Sequence, residues 1–545
     1  MKKDFMLSAL KKIHFIGAGG VSMSGLMKWC LYSGITISGS DKARSEETDI
    51  LEKLGAKIYI GHSAENLGDA EAVVYTSAVA DENAELVAAK KRGLPVIKRS
   101  ELLGEILALY PRSVGVSGSH GKTTVTAMLW EILETAGEAP AVFLGGEYGE
   151  RGNFCAGGSG NGGRVTKNGS IAGRDGLGAG KKFAVAEACE YKSNFLDLKP
   201  YIRIILNVDD DHLESFGGKA AEIAAFRKFA AGGISVVNAD DEGATLAAGE
   251  NSATFGINCP AIFTAKRVRR REGATGYSFT AYEYGRRLGR ITLKASGRHN
   301  VYNALAALAA ARLCGVSFAA IKTALSAFSG VKRRNEEIGE IFGLKVYADY
   351  AHHPSEIKAT LAAKRELGRS PIVVFQPHTY SRTRLLKGEF IEVLGGEPRL
   401  IIYKTYPARE EYEEEGDAKT LYGELFGLAE KRRQNPTNPS ETEKGSSDGG
   451  RAECPEYSEC ADCIAPLYAE TEEELIKAIT LRAGGAGEAG TAGRAEKKGV
   501  PKEAEERDKE GKTAAKKADE ILFVGAGDIY YIGKRLCEKF GKLRS

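Results

Sequence analysis

Short, mostly apolar segments that end in glycine-rich or polar motifs recur along the whole chain. In the first part, such runs lie at 13–16, 35–38 and 73–76, and the segment 24–32 has the length of a helix. Strands that alternate with helices are typical of a parallel, doubly wound sheet. The pattern therefore predicts a first α/β domain over residues 1–111.

The same alternation continues in two further parts of the chain, 112–329 and 330–545. In the second part the predicted elements are strands at 113–116, 183–186, 202–206 and 234–237, helices at 123–136 and 301–313, and a β-rich segment at 263–293. In the third part the predicted strands lie at 345–348, 372–375, 400–403 and 521–524. Each part predicts one α/β domain, so the fold class is α/β with three domains.

Three stretches interrupt this alternation. The stretch at about 145–180 holds 14 glycines in 36 residues, and those at about 431–463 and 484–519 are rich in small and charged residues. Such compositions bury too little apolar surface to offset the entropy lost on ordering. We predict three mobile insertions without packed structure, and a partly helical conformation is the alternative for the last one, since Ala, Glu and Lys favour helix.

Composition excludes several classes of protein. The chain has 76 Lys and Arg against 73 Asp and Glu, a net charge of +3, so its overall charge gives no argument for a nucleic-acid partner. Nine cysteines in 545 residues do not make a disulfide scaffold. No apolar run reaches the length of a membrane helix. We expect a cytoplasmic protein without membrane insertion, either a monomer or a homodimer.

The strongest chemical signal is the motif GVSGSHGKTT at 115–124, which lies between a predicted strand and a predicted helix. Backbone N–H groups of such a loop cradle phosphates, the lysine reaches the β- and γ-phosphates, and the following threonine binds Mg²⁺. Val116 stands where the standard Walker pattern has glycine, so the loop is a variant form. The residues predicted at ATP are Gly118, Ser119, His120, Gly121, Lys122, Thr123 and Thr124.

Polar residues at the ends of the next strands suggest a metal site. Glu187 ends one predicted strand, and His212 belongs to a DDDH cluster after another. Ligands in open α/β sheets sit at the carboxyl ends of the strands. Thr123, Glu187 and His212 are therefore predicted Mg²⁺ ligands, while a solvated loop is the alternative interpretation of the DDDH cluster.

The N-terminal loop GAGGVS begins at Gly17 and resembles a dinucleotide-binding loop. Asp41 lies 24 residues after Gly17, where an acid that binds a ribose is expected. This pattern alone fits NAD, FAD, a nucleotide-sugar diphosphate or a tight turn without ligand. An NAD-dependent oxidoreductase and a nucleotide-binding regulator without turnover are thus alternatives at this point.

The third part carries polar motifs of its own. Asp349 ends a predicted strand, and the pair Arg333–Arg334 precedes that strand. An arginine in this position can clamp a γ-phosphate, although a solvated turn is the common role of paired arginines. Arg382 and Arg384 offer the fork geometry that binds a carboxylate.

Taken in order, the motifs of the chain resemble those of the Mur ligase superfamily, and most of all its alanine-adding branch. The resemblance runs from residue 13 to about 536, apart from the insertions. It rests on FIGAGGVSMSGL, SGSHGKTT, EACE, DDDHLESF, GRHNVYNALAA, GVKRR, DYAHHPSEI, FQPHTYSRTR, YPARE and GAGDI. It implies three domains with mainly parallel sheets, the outer two Rossmann-like and the central one similar to P-loop ATPases.

The resemblance also implies roles for individual residues. The UDP-sugar would be bound by Gly17, Gly19, Gly20, Asp41 and Ser77. Asn300 would contact ATP in the central domain, and Arg334 and Asp349 would reach ATP from the third domain. The catalytic residues would be Lys122, His212, Arg334 and Asp349. The acceptor amino acid would be bound by Tyr350, His352, His378 and Arg382.

The implied activity is the ATP-dependent ligation of L-alanine to the lactyl carboxylate of UDP-N-acetylmuramate, through an acyl phosphate and with Mg²⁺. A ligase that joins a preformed peptide to the same nucleotide sugar is the nearest alternative, and the stretch FQPHTYSRTR favours the amino-acid ligase. Asn335 departs from the family pattern, in which phenylalanine is frequent at this position.

Overall fold

A computed structural model describes residues 7, 10–157, 182–209, 216–271, 275–434, 465–483 and 518–544. The chain divides into two compact units, Met1–Lys332 and Arg333–Ser545. The predicted metal ligand His212 and most residues of the three predicted insertions lie outside the described residues.

The first sheet is parallel, with strand order β3-β2-β1-β4-β5. Its strands are β1 (Lys12–Ile16), β2 (Thr36–Asp41), β3 (Lys57–Ile60), β4 (Ala72–Tyr75) and β5 (Val96–Lys98). The helices around it are α1 (Val21–Tyr32), α2 (Glu46–Lys53), α3 (Ala84–Lys91), α4 (Arg99–Ala108) and a 3₁₀ turn (Ala64–Leu67). The three predicted strands are confirmed, and the edge strands β3 and β5 were missed because they have only four and three residues and each includes a lysine.

The middle sheet has the order β15-β14-β13-β12-β11-β10-β6-β9-β7-β8. Its strands are β6 (Arg112–Ser117), β7 (Ala141–Phe143), β8 (Phe154–Ala156), β9 (Phe183–Glu187), β10 (Ile202–Ile205), β11 (Ile234–Asn238), β12 (Ser252–Gly256), β13 (Phe263–Arg270), β14 (Tyr277–Glu283) and β15 (Arg286–Thr292). Its helices are α5 (Lys122–Thr135), α6 (Lys219–Ala230), α7 (Glu242–Leu246), α8 (His299–Leu313) and α9 (Phe318–Ala327), with 3₁₀ turns at Gly149–Arg151 and Tyr191–Asp197. Neighbouring strands are parallel from β13 to β7 in this order, whereas the pairs β7–β8, β13–β14 and β14–β15 are antiparallel. The last two pairs form the predicted β-rich segment.

The prediction of an insertion without packed structure at 145–180 is wrong for its first third. Residues 154–156 form β8, which pairs with β7 and is fully buried. The apolar run of three residues is too short to stand out among the glycines, and tertiary pairing decides its conformation. Residues 158–181 lie outside the described residues.

The first two sheets share one hydrophobic core. Phe143 and Phe154 of the middle sheet belong to the same buried cluster as Trp29 of α1. A buried polar contact adds to this packing, since Lys28 Nζ donates to Asn153 Oδ1 at 2.8 Å. α1, which follows the first glycine loop, is therefore packed directly against β7 and β8.

The second unit holds a sheet of order β20-β19-β18-β21-β17-β16-β22, parallel from β20 to β17. Its strands are β16 (Glu336–Ile341), β17 (Leu344–Asp349), β18 (Ile372–Phe375), β19 (Leu400–Tyr403), β20 (Leu467–Ala469), β21 (Glu520–Val524) and β22 (Gly541–Leu543). Its helices are α10 (Pro354–Glu366), α11 (Tyr380–Leu385), α12 (Lys387–Leu394), α13 (Ala418–Gln434), α14 (Glu472–Arg482) and α15 (Ile529–Phe540), with a 3₁₀ turn at Glu414–Gly416. The four strands predicted here are confirmed, and so is the α/β class with mainly parallel sheets.

Over the described ranges, no helix is both long enough and apolar enough to cross a bilayer.

Candidate functional site

The loop between β6 and α5 has the shape of a phosphate-binding turn. Gly118 and Gly121 adopt φ angles of +132° and +87°, which favour glycine. A Cβ atom on Gly121 would lie 2.6 Å from Asn303 Oδ1, so the turn also needs glycine for space. α5 begins at Lys122, so the first N–H groups of this helix, which have no acceptor within the helix itself, lie at the end of the loop.

The segment that follows β10 holds this loop in place. Ser119 N and His120 N donate to the backbone and side-chain oxygens of Asn207, at 3.1 and 2.8 Å. Asp209 N donates to Ser119 Oγ at 2.8 Å, and His120 Nε2 lies 3.1 Å from Asp209 Oδ2. In this structure the amides of Ser119 and His120 are thus engaged within the protein. The first N–H groups of α5 have no intrahelical acceptor, so they are the ones that suit a phosphate.

Lys122 is held across the mouth of the loop. Its ammonium donates to Gly118 O at 2.6 Å, to Ser119 O at 3.0 Å and to Glu190 Oε1 at 2.9 Å. Glu190 is 1% exposed, and its Oε2 atom has no hydrogen-bond partner among the described residues. Glu190 was not among the residues predicted from the sequence. Its carboxylate lies beside the ammonium of Lys122, in a position that would also suit a phosphate oxygen.

Two of the three predicted metal ligands lie beside one glycine turn. Glu187 ends β9, and its Oε1 accepts a hydrogen bond of 2.6 Å from Gly145 N. A Cβ atom on Gly145 would lie 2.9 Å from Glu187 Oε2, and one on Gly146 would lie 3.2 Å from Thr123 Cγ2. Carboxylate and hydroxyl oxygens are the donors that Mg²⁺ prefers, so this pair fits that ion.

Asn300 is connected to the phosphate loop through a residue that sequence reasoning missed. Its side chain donates to Ser296 O at 2.7 Å and accepts from Asn303 Nδ2 at 3.0 Å. Asn303 in turn packs against Gly121. The two asparagines are one turn apart on α8, and this spacing is the signal that could have identified the second.

The predicted residues of the first sheet meet at the glycine loop after β1. Gly17 has a φ angle of +91°, and its N–H donates to Ser40 O at 2.8 Å. Gly19 N donates to Asp41 Oδ2 at 2.8 Å, and Gly20 caps α1. Asp41 therefore lies against the loop, as its spacing from Gly17 predicts.

A buried carboxylate lies under this loop. Glu85 of α3 is fully buried and accepts hydrogen bonds from Ser40 Oγ at 2.5 Å and from Asn66 Nδ2 at 2.6 Å. His62 Nδ1 and His14 Nε2 lie 3.2 and 3.6 Å from its Oε2 atom. Burial opposes the charge of Glu85, but these donors lower its pKa to about 2. No sequence motif identifies this cluster around Glu85, because the residues that contact the carboxylate lie on separate elements.

Replacing Glu85 with glutamine is expected to lower the free energy of unfolding at pH 7 by about 2–3 kcal/mol, because the donors are arranged for an anion. Urea unfolding measures the change. Glu105→Gln on α4, an exposed position, is the matched control and should leave stability within about 0.5 kcal/mol of wild type.

The effect of Glu85 depends on pH in a defined direction. The pKa of Glu85 falls from 4.5 to about 2 on folding, so its stabilisation is complete above about pH 4.5 and is lost as the pH falls towards 2. The stabilities of wild type and Glu85→Gln should therefore converge over that window. A constant difference down to pH 2 would contradict the assignment.

A basic cleft of about 500 Å³ opens beside β4 and the turn Tyr191–Asp197. Its lining includes the polar residues Ser77, Ser100 and Asn194, three basic residues and one acidic residue, namely Lys98, Arg99, Lys192 and Asp81. Lys192 Nζ donates to Ser77 O at 3.3 Å. Lys192 and Ser193 have φ angles of +50° and +57°, a strained backbone of the kind that clusters at ligand sites. The predicted residue Ser77 thus lies on a cleft that suits an anion.

In the second unit, the buried Asp349 and the partly exposed Arg334 belong to one charge cluster. Asp349 Oδ2 accepts from Asn335 N at 2.8 Å, and burial raises the pKa of its carboxyl while Arg334 opposes the rise. Arg334 Nη1 lies 3.2 Å from Glu356 Oε1. Burial opposes the charge of Arg334, but Glu356 and Asp349 raise the pKa of its guanidinium. Glu356, which was not predicted from the sequence, orients Arg334, the arginine predicted to contact the γ-phosphate.

The other members of this turn have structural roles. The guanidinium of Arg333 stacks 4.5 Å from the ring centroid of Tyr530 and 4.7 Å from that of Tyr531. Asn335 adopts a φ angle of +49°, which asparagine tolerates better than phenylalanine. The departure from the family pattern at this position therefore fits the local backbone.

The four predicted acceptor-binding residues cluster in the second unit. The rings of Tyr350 and His352 are 5.4 Å apart, and those of His352 and His378 are 5.7 Å apart. Arg382 Nη1 lies 3.0 Å from His378 Nδ1. Tyr406 of the YPARE motif stacks on His378 at 5.7 Å and an interplanar angle of 15°.

Three family models match consecutive parts of the chain. The model described as Mur ligase family, catalytic domain, matches residues 12–111. The Mur ligase middle domain matches residues 116–311. The model described as Mur ligase, glutamate ligase domain, matches residues 333–431.

Known proteins resemble the chain over most of its length. UDP-N-acetylmuramate–L-alanine ligase of Aquifex aeolicus is 43% identical over 412 residues, 74% of this chain and 85% of that protein. The crystal structure of UDP-N-acetylmuramate–alanine ligase from Thermotoga maritima has a TM-score of 0.68 and 26% identity, covering 97% of this chain and 99% of that one. UDP-N-acetylmuramate:L-alanyl-γ-D-glutamyl-meso-diaminopimelate ligase from Neisseria meningitides has a TM-score of 0.51 and 30% identity over 60% of this chain.

Proposed function

The chain belongs to the Mur ligase family, and we propose that it joins L-alanine to the lactyl carboxylate of UDP-N-acetylmuramate at the expense of ATP, a step of peptidoglycan precursor synthesis. The observation that carries the proposal is the 43% identity to an alanine-adding ligase over 85% of that protein. The glycine loop with Asp41 and the phosphate loop with Lys122 supply the two nucleotide sites that this reaction needs.

The reaction activates the carboxylate before the amide forms. The lactyl carboxylate attacks the γ-phosphorus of ATP, which yields an acyl phosphate and ADP. The α-amine of L-alanine then attacks the acyl carbon, and the tetrahedral intermediate releases phosphate as the C–N bond is kept. Lys122 balances charge on the phosphates during the first step. Arg334 is proposed to do so from the second unit.

Thr123 and Glu187 would hold Mg²⁺, with His212 as the third proposed ligand. When bound, this ion would neutralise phosphate charge. Gly145 N donates a hydrogen bond to one oxygen of Glu187, so the protein orients this carboxylate also in the absence of the metal ion.

For the nucleotide sugar, we propose that the glycine loop with Asp41 binds the UDP part. The cleft that contains Ser77 would bind the lactyl carboxylate of the nucleotide sugar, because Lys98, Arg99 and Lys192 give this cleft positive charge. Fixing the carboxylate near Lys122 would raise the rate by orientation.

For the acceptor, we propose that Arg382 binds the carboxylate of L-alanine. Its guanidinium lies against His378, and the surrounding rings of Tyr350 and His352 limit the space for a side chain. The proposal requires only small-molecule substrates and a cytoplasmic location, and it is compatible with a monomer or a homodimer.

Replacing Arg382 with alanine is expected to raise the KM for L-alanine at least about tenfold and to leave the KM for ATP unchanged, because a charge-assisted contact to the acceptor is lost. Arg384→Ala is the matched control, since Arg384 lies on the same helix but pairs with Glu413 at 2.6 Å. Equal effects of the two substitutions on the KM for L-alanine would contradict the assignment.

The activity is tested by incubating the protein with UDP-N-acetylmuramate, Mg·ATP and single amino acids, and by following phosphate release and product mass. We expect phosphate release coupled to a product heavier by one alanine residue. Phosphate release only with the tripeptide L-alanyl-γ-D-glutamyl-meso-diaminopimelate would favour the peptide-joining ligase. No turnover with either acceptor would contradict the proposed function.

A further inference from the structure

The meander β13–β14–β15 is far more basic than the rest of the chain. We name the described residues of this segment, 263–271 and 275–294, the basic meander. They hold nine basic residues and one acidic residue, a net charge of +8, whereas the whole chain has a net charge of +3. The remainder of the protein is therefore net negative, and the near-neutral total hides a local concentration of positive charge.

Strand register places much of this charge on one face. Lys266 pairs with Thr280, which pairs with Arg290, so these side chains cross all three strands on the same side. Arg269 opposite Ser278 and Arg287 opposite Tyr282 extend this row. The opposite face is buried against α8 and α9 and consists of Phe263, Ala265, Phe279, Ala281 and Ile291.

The basic side chains on this face are not neutralised by ion pairs among the described residues. Lys266, Arg269, Arg287 and Arg290 are exposed, and none of them forms an ion pair within the described part of the chain. Arg290 Nη2 donates to the neutral Ser278 Oγ at 2.9 Å, and Lys266 Nζ lies 5.1 Å from the ring centroid of Tyr282. The acidic residue Glu283 is engaged by Arg312 of α8.

An exposed aromatic residue stands at one end of this face. Tyr284 and Gly285 form the two-residue turn between β14 and β15, with φ angles of +48° and +75°. Tyr284 is 76% exposed and is followed by Arg286 and Arg287. Tyrosine beside arginine is the combination that partitions into the headgroup region of a bilayer.

We propose that the basic meander binds the surface of an anionic lipid bilayer, with Tyr284 at the level of the headgroups. A row of four unneutralised cations matches a plane of negative charge, and each adds to adsorption. A single-stranded nucleic acid fits less well, because the stacking of successive bases needs several exposed rings. Among the described residues of the basic meander only the ring of Tyr284 is largely exposed, whereas those of Tyr277 and Phe279 are buried. This inference lies beyond the proposed ligase activity and does not depend on it.

The experiment is flotation of the full-length protein with vesicles of phosphatidylcholine alone and of phosphatidylcholine with an equal part of phosphatidylglycerol. We expect binding only to the anionic vesicles, and loss of that binding as salt rises from about 0.05 to about 0.5 M. Substituting Lys266, Arg269, Arg287 and Arg290 together by glutamine should weaken binding at least about tenfold. Tyr284→Ser should weaken binding less, by an amount that does not depend on salt.

The matched control removes the same charge elsewhere on the surface. Lys53, Lys91, Lys228 and Lys322 are exposed, and their joint replacement by glutamine should leave vesicle binding within about twofold of wild type. Both fourfold variants should keep the thermal stability and the ATP-dependent turnover of the wild type, which shows that they fold.

Three outcomes would overturn the proposal. The first is equal binding to both kinds of vesicle, or to neither. The second is an equal loss of binding in the two fourfold variants, which would reflect total charge only. The third is a meander variant that loses binding to poly(U) but not to anionic vesicles, which would assign the face to nucleic acid.

Discussion

Replacing Lys122 with alanine is expected to lower turnover at least about 10³-fold. The ammonium is held at the mouth of the phosphate loop by Gly118 O and Ser119 O, and the proposed mechanism needs its positive charge there to stabilise the transferred phosphoryl group. The measurement is phosphate release under saturating substrates. Lys228→Ala on α6, an exposed position in the same unit, should keep the wild-type rate.

The same substitution has a second expected effect. Glu190 is almost fully buried and loses its cationic partner when Lys122 is removed, so the free energy of unfolding should fall by about 2–3 kcal/mol. The double variant Lys122→Ala/Glu190→Gln removes the uncompensated charge and should recover most of that stability without recovering turnover. A Lys122→Ala enzyme within about tenfold of the wild-type rate would refute the proposed role.

Replacing Glu187 with glutamine is expected to lower turnover about 10²-fold or more and to raise the Mg²⁺ concentration for half-maximal rate. Glutamine keeps an oxygen that can accept the hydrogen bond from Gly145 N, so the turn beside Thr123 should persist. The change therefore tests the charge of the carboxylate and not its packing. The measurement is initial rate as a function of Mg²⁺ at fixed ATP.

Glu250→Gln is the control for this experiment, because Glu250 is exposed in the same unit. Its Mg²⁺ dependence should match that of the wild type. A reduced rate in Glu187→Gln with unchanged Mg²⁺ dependence would argue against a metal ligand and for a purely structural role of the carboxylate.

The strands that carry the motifs were predictable because each is a buried apolar run joined directly to a polar motif. β6, β9 and β18 are examples, and all lie inside parallel sheets whose strands are apolar on both faces. Strands of three residues such as β5, β8 and β20 have no such pattern. Their conformation follows from pairing with a neighbour that lies elsewhere in the chain.

The residues of the candidate site also divide into those that the sequence predicts and those that it does not. The residues of the phosphate loop, the glycine loop with Asp41, and the motifs that hold Tyr350 and His378 are neighbours in sequence, and the structure places the members of each set close together. Glu85 and Glu190 act through contacts between distant segments, which no spacing rule reveals, whereas Asn303 lies one turn from Asn300 and could have been identified from that spacing. The assignments of individual residues to ligands, including His212 outside the described residues, stay predictions.

The core shared by the first two sheets has a consequence for folding cooperativity. Trp29, Phe143 and Phe154 are buried in one cluster, and Lys28 is bonded to Asn153 across the same contact. The boundary near residue 111 therefore separates two recurring sequence domains but not two independent folding units. A fragment that ends there would expose the apolar face of α1, and heating should melt residues before and after this boundary in one transition.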